Sequence, residues 1–214
     1  VATATIIRLC DTARVSLPGA LDGQIRMSLF AAIKEFTQRS NVWQDVIGIT
    51  VNPNVWDYAV AAEANALINR LLWLEGIRST NNLTQVGSGS SRAGQLTLPG
   101  SLRVGLRILS PPSTSELWYA HVAYTIADPT NAEGLPTIPD WIIDKYSDAL
   151  LSGVLSRMMS APSKPYSNLK LASYHQGQFR KGMNLARAEV SNGNVFDQNS
   201  WRYPRTFRMR SQRY

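Results

Sequence analysis

Residues 139–160 read Pro139-Asp140-Trp141-Ile142-Ile143-Asp144-Lys145-Tyr146-Ser147-Asp148-Ala149-Leu150-Leu151-Ser152-Gly153-Val154-Leu155-Ser156-Arg157-Met158-Met159-Ser160. Ile142, Tyr146, Ala149, Leu150, Gly153, Val154 and Met158 return at three- and four-residue intervals, the period of one buried helical face. Pro139 suits a first helical turn, where its missing N–H removes no bond. The helix is expected to be roughly 30 Å long from the rise per residue. Pro162 and Pro165 stop it, and Ser167 or Asn168 is placed to cap the next helix. Ala172, His175, Phe179, Met183, Ala186 and Val190 mark the buried stripe of that second helix, which Ser191-Asn192-Gly193-Asn194 ends. The link between the two helices is short, so an antiparallel hairpin is expected.

Working outward, Pro18-Gly19 breaks the chain and Asp22 is placed to cap a new helix. Ile25, Leu29, Ile33 and Phe36 recur at helical spacing, so residues 22–40 read as an amphipathic helix, and residues 3–14 as a short helix before it. The period then changes to two. Ile47, Ile49 and Val51 alternate, as do Leu102, Val104, Leu106 and Ile108, and then Trp118, Ala120, Val122, Tyr124 and Ile126. Residues 66–74 are apolar without a clear period; Glu75-Gly76 after them reads as a hairpin turn, which favours a strand. Residues 79–94, rich in Ser, Asn and Gly, read as an exposed loop. The expected fold class is α+β: a helical bundle with an inserted small antiparallel β-sheet and an extended C-terminal arm. The bundle is expected from residues 1–41 and 136–190, the β-rich insertion from 42–135, and the arm from 191–214.

Composition narrows the classes of function. The chain has 214 residues, one cysteine and two histidines, His121 and His175. A chain of this length buries roughly 70% of the surface its unfolded form exposes, so it needs no disulfide or metal staple. Cys10 alone makes no internal disulfide, and zinc sites draw on several Cys and His ligands. No apolar stretch reaches the roughly 18–20 residues of a membrane span. The first residues lack the basic region of a signal peptide. A protein folded in a reducing cytoplasm is expected.

The charge is uneven. Net charge is +7, and residues 191–214 hold five arginines against one acid, Asp197. Those residues contain Pro204 and fit no helix. Read with a period of two, Trp201, Tyr203, Phe207 and Met209 fall on one face, and Arg202, Arg208 and Arg210 on the other, with Arg205 and Arg213 breaking the alternation. Phe196 and Tyr214 add further aromatic surface. Fully extended, the segment reaches at most about 80 Å. Two functions suit it. Aromatic anchors and arginines can dock on another protein, or arginines can neutralise phosphates while aromatics stack on bases. The aromatic content argues against a merely disordered tail.

Signs of chemistry are few. Gly87-Ser88-Gly89-Ser90-Ser91 lacks the Gly-Lys-[Ser/Thr] that completes a phosphate loop, and reads as a flexible loop. Asp140, Asp144 and Asp148 lie one helical turn apart on one face, where a solvated stripe is the ordinary outcome and a divalent-cation site the rarer one. His175 on its apolar stripe reads as a core or interface residue, His121 as a strand residue and Cys10 as a small buried one. No glutamate among Glu35, Glu63, Glu75, Glu116, Glu133 and Glu189 is singled out as a catalytic acid. The expectation is a protein that is not an enzyme and uses no cofactor.

Two blocks carry a family resemblance. One is Leu17-Pro18-Gly19-Ala20, Ile25-Arg26, Ala31 to Ser40, and Val42-Trp43; the other runs from Leu135-Pro136 through Pro139-Asp140-Trp141, Ala149 to Met159, Pro162-Ser163-Lys164-Pro165-Tyr166-Ser167-Asn168, and Tyr174-His175 to Phe179. Together they resemble the head-to-tail adaptor (connector) proteins of short-tailed bacteriophages. The resemblance implies a helical bundle with a β insertion, assembled with copies of itself as a ring, usually dodecameric, in the virion neck. Such a ring sits beneath the portal protein, extends the DNA channel without gripping genomic DNA, and presents a platform to the tail nozzle or tube. It also implies that the C-terminal segment wedges against the portal. Here the docking residues would be Phe196, Trp201, Arg202, Tyr203, Arg205, Phe207, Arg208, Arg210, Arg213 and Tyr214. Asp140, Asp144 and Asp148 are expected to face the channel or a neighbouring subunit. No membrane partner is expected.

Overall fold

Phe36, Tyr146 and Phe179 are buried together, one from each of three helices, with the Tyr146 and Phe179 ring centroids 5.1 Å and 6.3 Å from that of Phe36. The computed structural model describes residues 2–62, 66–79, 82–85, 94–97, 104–109, 111–127 and 138–192. Four helices are present among them: α1 (Ala2–Val15), α2 (Asp22–Ser40), α3 (Asp140–Met159) and α4 (Leu169–Ser191). They pack as a bundle in which α3 touches the other three. The architecture is α+β, with the strands inserted between α2 and α3.

The helix boundaries follow from local chemistry. α2 ends at Asn41, whose left-handed backbone (φ 54°, ψ 29°) lets its N–H donate to the Thr37 carbonyl. Val42 and Trp43 are then buried, and the Tyr124 N–H donates to the Trp43 carbonyl at 2.8 Å, turning the chain from bundle to sheet. Between α3 and α4, Asn168 is the cap: its side chain accepts from the Leu171 N–H at 3.1 Å, and its own N–H donates to the Met159 carbonyl. Tyr166 in that turn is buried and its hydroxyl lies 3.3 Å from Gln24 Oε1 on α2. Asp22 differs from expectation. Leu21 holds the cap position with no side-chain bond, and the Asp22 carboxylate, already inside the first turn, pairs with Arg14 of α1.

The insertion forms two antiparallel sheets where the alternation suggested one. Its strands are β1 (Gln44–Val51), β2 (Asp57–Val60), β3 (Ala66–Ser79), β4 (Asn82–Gln85), β5 (Gly94–Thr97), β6 (Val104–Ile108) and β7 (Glu116–Ile126). Their orders are β1-β7-β3-β4 and β2-β6-β5. Glu75-Gly76 is not a turn. β3 runs through it, with Gly76 opposite Trp118 of β7 on one side and Thr84 of β4 on the other. Hydrogen-bonding partners on both edges hold the backbone extended there despite the glycine. Within 79–94, expected to be a loop, Ser79, residues 82–85 and Gly94 are strand. The far half of β7, Val122 to Ile126, is buried without alternation, and α2 packs against this strand. One apolar core joins helices and strands, from Ile6 and Phe36 through Leu74, Leu106 and Tyr124 to Val154 and Phe179.

Candidate functional site

The ten residues expected to dock, Phe196, Trp201, Arg202, Tyr203, Arg205, Phe207, Arg208, Arg210, Arg213 and Tyr214, lie outside the described residues. What is described is the end of the helix that precedes them in the chain. α4 closes with Asn192, whose N–H reaches the carbonyls of Ala188 and Glu189.

The three aspartates of α3 do not share one environment. Asp140 opens the helix half-buried, with Oδ1 enclosed and without a hydrogen-bond partner among the described residues. Asp144 and Asp148 are exposed and line a small groove of about 190 Å³ against Thr5, Arg8 and Thr12 of α1. Among the described residues no group of three or more metal-ligating side chains converges.

On the other side of Asp148 a larger groove, about 440 Å³, runs between α3 and α4. Ala149, Ser152 and Gly182 make its floor, and Tyr174, Lys181 and Leu185 its outer wall. Tyr174 and Leu185 are exposed there, and Leu171 is exposed one turn before Tyr174, although α4 already buries Ala172, Phe179, Met183 and Ala186 on its inner face. α4 therefore carries a second, outward apolar strip beside the one the sequence displays. The signal was present in the three- and four-residue spacing of Leu171, Tyr174, Gln178, Lys181 and Leu185, but two of those five are polar.

Two residues that line this groove, Lys145 and Tyr146, share one partner, Glu189 of α4. Glu189 accepts from the Tyr146 hydroxyl at 2.6 Å and pairs with Lys145 Nζ at 2.7 Å. The bond from Lys145, then that from Tyr146, holds the Glu189 carboxyl below its ordinary range. The same contact raises Lys145, whereas Tyr146 is raised first by burial and then by Glu189. His175 sits at the groove edge, half-buried, and burial lowers its pKa; it is not a core residue. Its Nδ1 is enclosed without a partner among the described residues.

The sheet joins residues that the sequence left apart. His121 stacks on Trp73 with centroids 4.3 Å apart, and its Nε2 lies 3.1 Å from Glu75 Oε2 at an angle that makes no hydrogen bond. The register of β3 on β7 brings them together, and nothing in the spacing announces it. Cys10 is buried as expected, and burial raises its thiol pKa, which disfavours the reactive thiolate. No helix among the described residues is long and apolar enough to cross a membrane. No protein-family model matches the chain, and no curated protein is significantly similar to it.

Proposed function

We propose that the chain is a structural virion protein, the head-to-tail adaptor of a short-tailed bacteriophage. Copies form a ring beneath the portal protein, docked through residues 191–214, and the ring extends the DNA channel and receives the tail. The observation that carries this reading is the arrangement of the two resembling blocks. Both fold into one bundle around Phe36, Tyr146 and Phe179, and the β-rich segment between them leaves and re-enters that bundle. An outward apolar strip on α4, outside the core of the described residues, suits a protein that packs against neighbours. A ring of docking arms gains avidity from modest individual contacts. An arm that orders only on its partner makes assembly sequential.

The test is to mix the purified chain with portal rings and image the product by electron microscopy. Deletion of residues 194–214 is expected to leave a folded chain that no longer joins the portal, and normal joining by the truncated chain overturns the docking assignment. Trp201→Ala is expected to weaken docking more than Arg213→Ala, because buried aromatic anchors outweigh exposed charges. The competing reading is nucleic-acid binding through the same five arginines. Salt-dependent DNA binding that disappears with residues 194–214, while portal joining persists, selects it.

A further inference from the structure

On the side of α3 away from α1, a cleft of about 470 Å³ opens between α2, α3 and α4. Three guanidinium groups line it, Arg39 from α2, Arg157 from α3 and Arg180 from α4, with a single carboxylate, Glu35. Both oxygens of Glu35 are engaged: Arg39 Nε lies 3.1 Å from Oε1, and Arg157 pairs with Oε2. One negative charge thus answers three positive ones. Among the described residues, the side chains of Arg180 and Gln176 at the cleft make no hydrogen bond or ion pair, so their side-chain N–H donors remain available.

Arg157 is recessed and held. Its side chain is 27% exposed, it donates to the Gly153 carbonyl at 2.9 Å and the Ala31 carbonyl at 3.4 Å, and its guanidinium carbon stands 5.3 Å from the centre of the Phe179 ring. A cation fixed in this way loses little rotamer freedom when a ligand arrives. The hydroxyls of Ser156 and Ser160 already donate to the Gly153 and Ser156 carbonyls, so the free donors in the cleft are nitrogen. Burial lowers the pKa of Arg157, but an arginine stays charged in water at any ordinary pH.

We infer that this cleft is a docking site for a carboxylate side chain of a partner protein, clamped by Arg180 and Arg39 above the fixed Arg157. Planar guanidinium forks match a carboxylate with two parallel hydrogen bonds. The cations converge on one recess between three helices, which suits one inserted acidic side chain. A nucleic-acid backbone presents a row of phosphates and calls for a row of exposed cations instead. The inference does not rest on the adaptor reading.

The test titrates the full chain with a short oligoglutamate peptide, and separately with a single-stranded oligonucleotide of equal charge, by calorimetry. Arg180→Ala is compared with Arg187→Ala, an exposed arginine on the same helix outside the cleft. Both positions are exposed, so circular dichroism should show both variants folded. The peptide is expected to lose about tenfold in affinity with Arg180→Ala, the loss of one charge-assisted hydrogen bond, and to be unmoved by Arg187→Ala. The arginines of residues 191–214 also attract the peptide, so dependence on Arg180, rather than binding itself, is the readout. Equal losses in the two variants, no peptide binding, or tighter Arg180-dependent binding of the oligonucleotide overturns the proposal.

Discussion

Gly153 shows how one residue sets the spacing of the bundle. A methyl group at that position would meet two ring carbons of Phe179 at 2.9 Å and the Ala32 Cβ at 3.0 Å, so α2 and α4 both approach α3 where it lacks a side chain. Gly177, on the exposed side of α4, has no atom within 4 Å of the same point. Alanine is the better helix former by about 0.5–1 kcal/mol, and at Gly177 nothing opposes that gain. Gly177→Ala is therefore expected to stabilise the fold by about that amount. Gly153→Ala is expected to destabilise it by about 1–3 kcal/mol, because overpacking outweighs propensity. Denaturant unfolding of the two variants checks the sign of each; a stabilised Gly153→Ala chain means that the helices can move apart at little cost.

At the scale of elements, the helices were legible because each buries a stripe at the period its sequence displays. A cap at Ser167 or Asn168 and the proline stops were legible for the same local reasons, and the structure selects Asn168. β3 was not. Its register on β7 shifts between Ile68 and Arg70 and again between Leu71 and Trp73, and these irregularities break the alternation that marks a strand. The ambiguous run 66–74 was thus irregular in the structure as well. β2, β4 and β5 have four residues each, too few to show a period. The outward strip on α4 and the arginine cleft depend on which helices flank α3, which no single stretch of sequence states. The pairing of α3 with α4 also makes stability depend on pH through Lys145, Tyr146 and Glu189. Glu189 is held below its ordinary value of 4.5, so its contribution is complete above that pH and fades as pH falls through the lower, folded-state value. Lys145 is raised above 10.5, so its share is complete below that pH and fades as pH rises further. Glu189→Gln removes the acid limb. Its melting temperature is expected to trail the parent's at neutral pH and to approach it below pH 4.5; a gap that stays constant into acid locates the effect elsewhere.

At the scale of the whole molecule, bundle and sheet meet through a buried pair of hydroxyls. Thr37 of α2 and Thr125 of β7 are both essentially inaccessible, and their Oγ1 atoms lie 3.0 Å apart. The Thr37 hydroxyl also reaches the Ile33 carbonyl of its own helix at 3.0 Å, which leaves Thr125 to donate across the boundary. The two residues therefore differ in what their loss exposes. Thr125→Val removes a donor and leaves Thr37 bonded to its helix. Thr37→Val leaves the Thr125 hydroxyl buried without an acceptor, at a cost of about 1–3 kcal/mol. Thr37→Val is thus expected to destabilise more than Thr125→Val, and the double variant less than Thr37→Val alone. Since a single core runs from Ile6 through Tyr124 to Ala186, this loss should appear as one transition, with helix ellipticity and amide exchange in β7 changing together. If β7 amides open while the helical midpoint stays in place, the insertion is a separately unfolding unit, and the shared core does not bind it to the bundle.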